Sequence, residues 1–345
     1  MTERRSRLRL YGALALGLFL LAIAGTRFAA DFDLIFGDGR AYYVYLPSAV
    51  VDHDLDFTNQ IQEHWGSGFR PLWVGARTET GLVWNKFTIG FALSLLPAFL
   101  VAHGLALGLH AATGSALFAP DGYSQLYQCL CLALILGYAV ATMAIADRWL
   151  TERFQVDGRA AAAAVVAYWL GTHYAYYSFR EAFVAHVVSA FWVATTVAAA
   201  IALRDGFAAG RLRRRDLLAL AFAFAMAVEC RLSNVFVFPV LLGVLGAAFR
   251  GGLFTRLLRL LPWALPGLFP FALQALVWKL MTGRTVTDPY RTERFVNWAH
   301  PHLVLTLVSS NHGLFFWSPI LLLAAWGLAG RWRQPRDPLL AGLAL

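Results

Sequence analysis

The sequence predicts an all-α, polytopic membrane protein whose helices form a bundle. Hydrophobic residues make up 59% of the 345 residues and charged residues only 14%, whereas soluble domains carry about 25% charge. Seven long stretches lack Asp, Glu, Lys and Arg altogether, and a helix needs about 20 apolar residues to cross a bilayer core. The uncharged stretches are Leu10–Thr26, Phe87–Pro120, Gly122–Ala146, Ala160–Phe179, Ala182–Leu203, Leu260–Trp278 and Phe295–Gly330.

The basic residues lie between these stretches rather than along one continuous segment. The net charge is +9, which in a soluble protein would suggest nucleic-acid binding. Here the arginines cluster in the loops, as the positive-inside rule expects of a membrane protein. We therefore predict a lipid bilayer as the environment of the chain and no nucleic-acid partner.

The charge distribution also predicts which segments cross the membrane. Four arginines precede the first apolar stretch. In a polytopic chain, a retained first helix with a cytoplasmic N-terminus is favoured over a cleaved signal peptide. If residues 87–110 do not cross, 18 of the 29 basic residues lie in cytoplasmic segments, but only 10 do if they cross. We therefore expect this segment to lie along the surface or to re-enter, and Pro97 suits a broken helix.

One membrane domain is expected over residues 1–345. Residues 27–121 would form an outer loop with juxtamembrane amphipathic helices, and residues 122–345 a helix bundle. With the first helix, the apolar stretches predict about eight full spans. The apolar residues LLAGLAL at the end of the sequence predict a C-terminally truncated span.

Aromatic residues follow Gly39 in the outer loop and predict a helix that lies in the membrane interface. Tyrosine rings are enriched at the level of the lipid headgroups. The residues expected on the membrane-facing side of this helix are Tyr42, Tyr43, Tyr45, Leu46 and Val50.

Acidic residues are densest in the outer loop, and Asp38 stands out because Gly37 and Gly39 flank it. Glycines allow a sharp turn and leave room for a substrate. A carboxylate held there is suited to act as a general base on a hydroxyl group. The alternative is a turn aspartate that caps the helix beginning near Arg40.

Three further aspartates alternate with other residues between Asp52 and Asp56. Alternating carboxylates suggest a metal site with His53 or His64 as further ligands. They equally suggest a solvated loop or a helix cap, and the spacing is not that of a calcium-binding loop. We therefore predict that these aspartates shape the loop, and we assign no metal ligand.

Ionisable residues at the ends of the apolar stretches complete the candidate site. Lys86 lies where a lipid phosphate would lie, although interfacial lysines also extend to the headgroups without binding a substrate. Arg231 lies inside the stretch 217–249, which we predict to be a hairpin turning at Glu229–Asn234. Arg231 suits phosphate binding or an ion pair with Glu229, and Glu181 with His186 suits a polar pair or catalysis.

Five segments together resemble the GT-C superfamily of membrane glycosyltransferases. The chain is most similar to the bacterial branch that includes protein mannosyltransferases and the lipid A aminoarabinose transferase. The resemblance covers most of the chain. It rests on GDGRAYYVYLPS, WNKFTIGFALSLLPAF, DRWLTERF, LGTHYAYYSFREAFVAH and SSNHGLFFWSP.

The resemblance implies an inverting transfer of a sugar from a polyprenyl-phosphate donor to a hydroxyl of a glycan, lipid or protein acceptor. It matches Asp38 to the essential acid of the first outer loop, Lys86 to a lysine before a non-crossing helix, and Glu181 to a second acid. On this basis the predicted catalytic residues are Asp38 and Glu181. The predicted substrate-binding residues are Arg40, Tyr42, Lys86, His186, Arg231, Arg291 and Arg294.

The resemblance further implies a multi-pass protein of the cytoplasmic (inner) membrane that acts on the non-cytoplasmic side. The superfamily allows a divalent metal, but we assign no cofactor. The alternatives are a transporter or flippase of lipid-linked sugars and a non-catalytic membrane scaffold. The sequence contains no internal repeat of the kind that many transporters show.

Overall fold

The protein is all-helical over the residues that its computed structural model describes, which are 2–28, 33–65, 76–290, 302–311 and 313–332. Outside the helices, the only strand-like pairing among these residues is a single antiparallel bridge between Arg77 and Val83. The predicted all-α class is therefore confirmed for the described part of the chain.

Sixteen α-helices follow one another along the described residues. The first half contains α1 Thr2–Phe28, α2 Asp38–Tyr43, α3 Tyr45–Pro47, α4 Thr58–His64, α5 Gly90–Thr113, α6 Gln125–Arg148, α7 Gly158–Gly171 and α8 His173–Phe179. The second half contains α9 His186–Ala208, α10 Arg214–Cys230, α11 Phe238–Arg250, α12 Leu253–Ala264, α13 Phe269–Thr282, α14 Leu303–Val308, α15 Leu314–Trp317 and α16 Leu321–Trp332. Single π-helical turns follow α3 and α6, at Ser48–Asp52 and Trp149–Arg153.

Five helical segments of the described chain are long and apolar enough to cross a membrane. They are Glu3–Thr26, Gly90–Thr113, Gln125–Arg153, His186–Ala208 and Leu261–Thr282. Exposed large apolar side chains along them, such as Leu20, Leu105 and Leu276, are suited to contact lipid rather than water. This finding supports a bilayer environment for the chain.

Contacts of α1, and of Leu34 beyond its end, with α6 define two ends of the bundle. At one end, Arg7 donates two hydrogen bonds of 2.8 and 3.1 Å to Asp147, and the Tyr11 hydroxyl donates a third of 2.9 Å. At the other end, the Leu34 amide donates to the Gln128 side chain over 2.7 Å. The two helices are therefore antiparallel, and we refer to the Arg7 end and the Asp38 end of the bundle.

The expected break in the segment 87–110 is wrong, because α5 is one continuous helix of 24 residues with Pro97 inside it. Proline is tolerated where neighbouring helices satisfy freed backbone groups, and the Tyr138 hydroxyl of α6 donates to the Ser94 carbonyl over 2.9 Å. The Gly90 end of α5 packs on the last turn of α10, while His103 bonds Tyr127 in the first turn of α6. Gly90–Thr113 is also one of the five segments that are long and apolar enough to cross a membrane.

Among the described residues, five helical segments meet the length and hydropathy of a span, fewer than the eight expected, and local breaks account for part of the difference. Thr172 ends α7, and its hydroxyl accepts a hydrogen bond from the Tyr174 amide at the start of α8, so 160–179 is divided. Arg231 has an extended backbone after α10, which divides 217–249 at the predicted turn. The resulting helices α7 and α11 have 14 and 13 residues, which is short of a span, and α10 has 17, at the lower limit for one.

The prediction that the aromatic rings after Gly39 lie in the membrane interface is also wrong. Tyr42, Tyr43 and Tyr45 are all buried, and the Tyr43 ring packs 5.9 Å from that of Phe99 in α5. The Tyr43 and Tyr45 hydroxyls donate hydrogen bonds of 2.7 Å to the Gly122 and Phe87 carbonyls. Because their polar ends find partners inside the protein, these tyrosines join the core instead of the headgroup layer.

Replacement of Asp147 by alanine is expected to destabilise the bundle. The Asp147 carboxylate is buried, and its loss leaves the Arg7 guanidinium and the Tyr11 hydroxyl without their acceptor. Removing one partner of a buried ion pair costs about 3 kcal/mol, which should lower the midpoint of thermal unfolding in detergent by several degrees. The exposed pair between Arg148 and Glu152 provides the control, because Glu152→Gln should leave the midpoint nearly unchanged. Equal midpoints for the two variants would contradict the anchoring role of Asp147.

Candidate functional site

A polar cavity of about 230 Å³ lies at the Asp38 end of the bundle. Its walls come from five segments that are distant in sequence: α2, the residues before α5, the start of α9, the end of α10, and the residues after α13. The lining residues are Asp38, Tyr42, Lys86, Phe87, Thr88, Val184, His186, Cys230, Arg231, Leu232 and Tyr290. Asp38, Tyr42, Lys86, His186 and Arg231, all predicted from the sequence, are among them.

Asp38 is placed at the cavity by the two glycines beside it. Gly37 occupies the cap position of α2 with a φ of 56°, a left-handed conformation that favours glycine. Gly39 packs against Phe183, since a Cβ there would lie 3.1 Å from the Phe183 Cβ. The cap position of α2 belongs to Gly37, and Asp38 is the first residue of the helix rather than its cap.

Lys86 lies in an irregular segment that five hydrogen bonds hold in place. The Asn85 side chain donates to the Ala41 carbonyl over 2.8 Å and accepts from the Phe87 amide over 3.0 Å. In the remaining three bonds, the Tyr45 hydroxyl donates to the Phe87 carbonyl, the Thr88 hydroxyl to the Glu229 carbonyl, and the Ile89 amide to the Gln274 side chain. The segment Asn85–Ile89 is thereby tied to α2, α3, α10 and α13 at once, which fixes the backbone beneath Lys86.

Arg231 enters the cavity because α10 ends one residue before it. Its Nη1 donates to the His186 ring, 2.8 Å from Nδ1. The His186 ring in turn stacks on Tyr177 with centroids 3.8 Å apart. The Asn234 side chain donates to the Ser189 hydroxyl and the Ala227 carbonyl, both over 2.7 Å, and so anchors the turn. His186 therefore orients Arg231. The sequence had instead predicted that His186 would pair with Glu181.

Tyr42 contributes a hydroxyl that stays protonated. Burial raises the pKa of Tyr42; the charge of Arg231 acts against that rise and the charge of Asp38 adds to it. Its ring packs 4.1 Å from the Phe87 ring. At neutral pH the Tyr42 side chain can therefore donate a hydrogen bond to an oxygen of a bound molecule.

The cavity joins two basic side chains, Lys86 and Arg231, with the Asp38 carboxylate. Ammonium and guanidinium groups bind phosphate oxygens strongly through charge-assisted hydrogen bonds. A carboxylate beside them can accept a proton from a neutral hydroxyl group. The arrangement is therefore suited to hold an anionic phosphate and to activate a nucleophile next to it.

The structure does not bring Arg40 and Glu181 into this cavity. The Arg40 guanidinium donates to the Ile35 carbonyl, to the Trp65 carbonyl and to Asp33, so it braces the outer loop. The Glu181 carboxylate accepts a 2.9 Å hydrogen bond from the Tyr176 hydroxyl. Neither residue lines the cavity, so a direct role in catalysis or substrate binding is not supported for either of them.

The predicted residues Arg291 and Arg294 lie outside the described part of the chain. Conversely, some residues that line the cavity were not predicted. Tyr290, which precedes Arg291, does line the cavity, as do Phe87 and Thr88 next to Lys86. Proximity in sequence to a predicted residue was the only signal for these three.

The aspartates between Asp52 and Asp56 shape the loop by hydrogen bonds, as expected. Asp54 accepts from the Ser48 hydroxyl over 2.9 Å, and Asp56 accepts from the Thr58 hydroxyl over 2.6 Å. Asp52 accepts from the side chains of Asn59 and Gln60. Within the described ranges, no group of three or more His, Cys, Asp or Glu side chains is arranged to hold a metal ion.

Comparison of the chain with protein-family models, with curated proteins and with solved structures finds no match. The functional argument therefore depends on the cavity and its residues.

Replacement of Gly90 by alanine is expected to disturb the cavity. A Cβ at Gly90 would lie 2.3 and 2.4 Å from backbone atoms of Glu229 and Cys230, so α5 and α10 would have to separate. Overpacking of this kind costs about 1–3 kcal/mol and should lower the thermal midpoint in detergent. Gly104→Ala in the same helix is the control, because a Cβ at Gly104 meets nothing within 4 Å. A Gly90→Ala protein as stable as the control would contradict this contact.

Proposed function

We propose that this protein is an integral membrane glycosyltransferase of the GT-C type. It moves a sugar from a polyprenyl-phosphate donor to an acceptor hydroxyl on the non-cytoplasmic side of the inner membrane. The observation that carries the proposal is the meeting of Asp38, Lys86 and Arg231, from three distant segments, in one cavity. The resemblance of the outer loop to that of the superfamily matches the same two residues, Asp38 and Lys86, to functional positions.

The donor phosphate would lie between Lys86 and Arg231. Both side chains are cationic, and they gain interaction energy as negative charge builds up on the leaving phosphate. The Tyr42 hydroxyl, kept protonated by burial, adds a neutral donor beside them. These groups would stabilise the departing lipid phosphate more strongly than the intact donor, which is the requirement for catalysis.

An apolar groove next to the cavity supports a lipid-linked donor. Phe87 and Thr88 line the cavity, and the following residue, Ile89, lines the groove. The groove has a volume of about 160 Å³ and an entirely apolar lining. Its walls include Leu46, Val50, Leu93, Leu96, Leu273 and Val277. The prenyl units nearest the phosphate would be accommodated there while the phosphate occupies the polar cavity.

Asp38 would act as the general base in a single displacement. The carboxylate takes the proton of the acceptor hydroxyl while the hydroxyl oxygen forms a bond to the anomeric carbon. The bond from that carbon to the phosphate oxygen breaks, and its electron pair leaves with the lipid phosphate. Attack from the face opposite the phosphate inverts the anomeric configuration.

A transporter or flippase of lipid-linked sugars is the alternative from a different class, since it would use the same charged cavity without a base. A non-catalytic scaffold would need neither the base nor the cations. Transfer of labelled sugar to an acceptor separates the enzyme from both alternatives. Movement of labelled lipid across a vesicle bilayer without transfer would instead identify the transporter.

Asp38→Asn is expected to abolish sugar transfer in proteoliposomes supplied with labelled polyprenyl-phosphate sugar. Asparagine keeps the shape of the side chain but cannot accept the proton, and loss of a general base costs about 10²–10⁴ in rate. The measurement is label transferred to acceptor per unit time at saturating donor. Asp56→Asn is the matched control, because Asp56 bonds Thr58 in the same loop outside the cavity. Transfer by Asp38→Asn at the rate of the control would refute the proposed base.

Arg231→Gln is expected to weaken donor binding and to slow transfer. Loss of a charge-assisted hydrogen bond to phosphate costs about 1.5–3 kcal/mol, so kcat/KM for the donor should fall about tenfold or more. Arg284→Gln is the matched control, since Arg284 pairs with the exposed Glu79 and does not line the cavity. An unchanged kcat/KM for Arg231→Gln would exclude a contact of Arg231 with the donor phosphate.

A further inference from the structure

The Arg7 end of the bundle also carries the end of α9 and the start of α10. Arg153, in the π-helical turn that follows α6, lies 3.7 Å from Asp205 in the last turn of α9. The connection from α9 to α10 consists of residues 209–213, and it is too short to reach the other end. The last turn of α9 and the first turn of α10 therefore lie at the same end as Arg7.

The helix α12 contacts both of these turns. Near its start, the Arg256 guanidinium lies 5.2 Å from the centre of the Phe207 ring, in the last turn of α9. In its last turn, the Trp263 ring lies 3.8 Å from the guanidinium of Arg214, the first residue of α10. The two contacts are about 10 Å apart along α12, yet both lie at the Arg7 end. We conclude that α12 runs across this end of the bundle and not along its axis.

The faces of α12 have different surroundings, because successive residues of an α-helix are turned by about 100°. One face is buried in the protein and carries Leu253 and Ala264. Beside it, Phe254, Leu258 and Leu261 lie within about 60° of arc. These three side chains are 53–57% exposed. They form an apolar stripe that no helix of the described chain covers.

The third face of α12 is polar and basic. It carries Thr255 and Arg259, both exposed, and α12 contains no acidic residue. The chain around α12 has the same bias, since residues 210–264 include seven arginines but only Asp216 and Glu229 as acids. Glu229 lies at the opposite end, beside the Asp38 cavity. The surroundings of α12 are therefore strongly positive.

This order of faces is that of a helix lying in a membrane interface. Such helices turn an apolar face towards the acyl chains and a Lys- or Arg-rich face towards the headgroups and water. The candidate span Leu261–Thr282 begins in the last turn of α12, so α12 lies where the chain enters the membrane. The positive-inside count predicts that this end faces the cytoplasmic leaflet, where anionic headgroups attract basic segments.

We propose that α12 binds the anionic lipid surface of the bilayer at the Arg7 end. The stripe of Phe254, Leu258 and Leu261 inserts among the acyl chains next to the headgroups, and Arg259 contacts lipid phosphates. A second copy of the chain is a poorer occupant of the stripe. Pairing two copies there would bring two arginine-rich surfaces together, and like charges across an interface are unfavourable.

The test uses the full-length protein in bilayers with a fluorophore on α12. Cys129→Ala removes the half-buried thiol, and since Cys131 and Cys230 are buried, Leu258→Cys or Thr255→Cys supplies the labelling position. Lipids brominated near the headgroup should quench the label at position 258 severalfold more than the label at position 255. Iodide in the water should give the reverse order. Equal quenching at the two positions would overturn the proposal.

The preference for anionic lipid is tested with the label at position 258. Brominated phosphatidylglycerol should quench it more than brominated phosphatidylcholine at the same mole fraction. Arg259→Gln should lower this preference up to about fivefold, which corresponds to the ~1 kcal/mol that a basic residue gains near an anionic surface. Arg159→Gln is the matched control, because the exposed Arg159 follows Gly158, which contacts Arg7, but is not on α12. Equal preferences in the two variants would refute the contact of Arg259 with lipid.

A second copy of the chain on the stripe would give a different result. Leu258→Cys without label should remain monomeric when the protein is oxidised mildly in the bilayer. Disulfide-linked dimers would identify a second copy as the occupant and would overturn the proposal of a lipid contact. Thermal midpoints within a degree or so of the parent protein check that each variant is folded, which is expected because the substituted side chains are exposed.

Discussion

The candidate site depends on the close packing of the segment Asn85–Gly90 against α10. Gly90 contacts the backbone of Glu229 and Cys230 so closely that no side chain fits between them. The Thr88 hydroxyl donates to the Glu229 carbonyl at the same contact. Lys86 precedes this contact in one chain segment and Arg231 follows it in the other, so the packing sets the position of both basic groups. In an apolar environment, close backbone packing at small residues and hydrogen bonds to backbone carbonyls hold irregular segments in place.

Arg231 differs from the arginines at the Arg7 end in the kind of acceptor that orients its guanidinium group. At the Arg7 end, the buried Asp147 and the exposed Asp205 each accept hydrogen bonds from an arginine, so basic residues are tied to the helix ends by carboxylates. At the Asp38 end, Arg231 donates to the neutral acceptor of a histidine ring instead. A guanidinium oriented by an imidazole keeps most of its charge available for a ligand, whereas one paired with a carboxylate does not.

Several sequence predictions failed where a single side chain changes the local structure. Thr172 provides a hydroxyl that starts a new helix, and Arg231 takes an extended backbone, so two apolar stretches became pairs of shorter helices. Hydropathy averages over a window and does not record such breaks. The tyrosines of the outer loop were predicted at the headgroup level because amphipathic rings favour it. They are buried instead, because Gly122 and Phe87 offer their carbonyls as partners.

The sequence by itself determined the helical class, the membrane environment and the candidates Asp38, Lys86 and Arg231. Composition, uncharged runs and glycine neighbours are local properties, and they can be read without coordinates. Only the tertiary structure decided which candidates meet. Arg40 and Glu181 look as promising in sequence as His186, yet their side chains bond Asp33 and Tyr176 outside the cavity. That outcome depends on contacts between distant segments, and the identity of one residue does not specify the direction of its side chain.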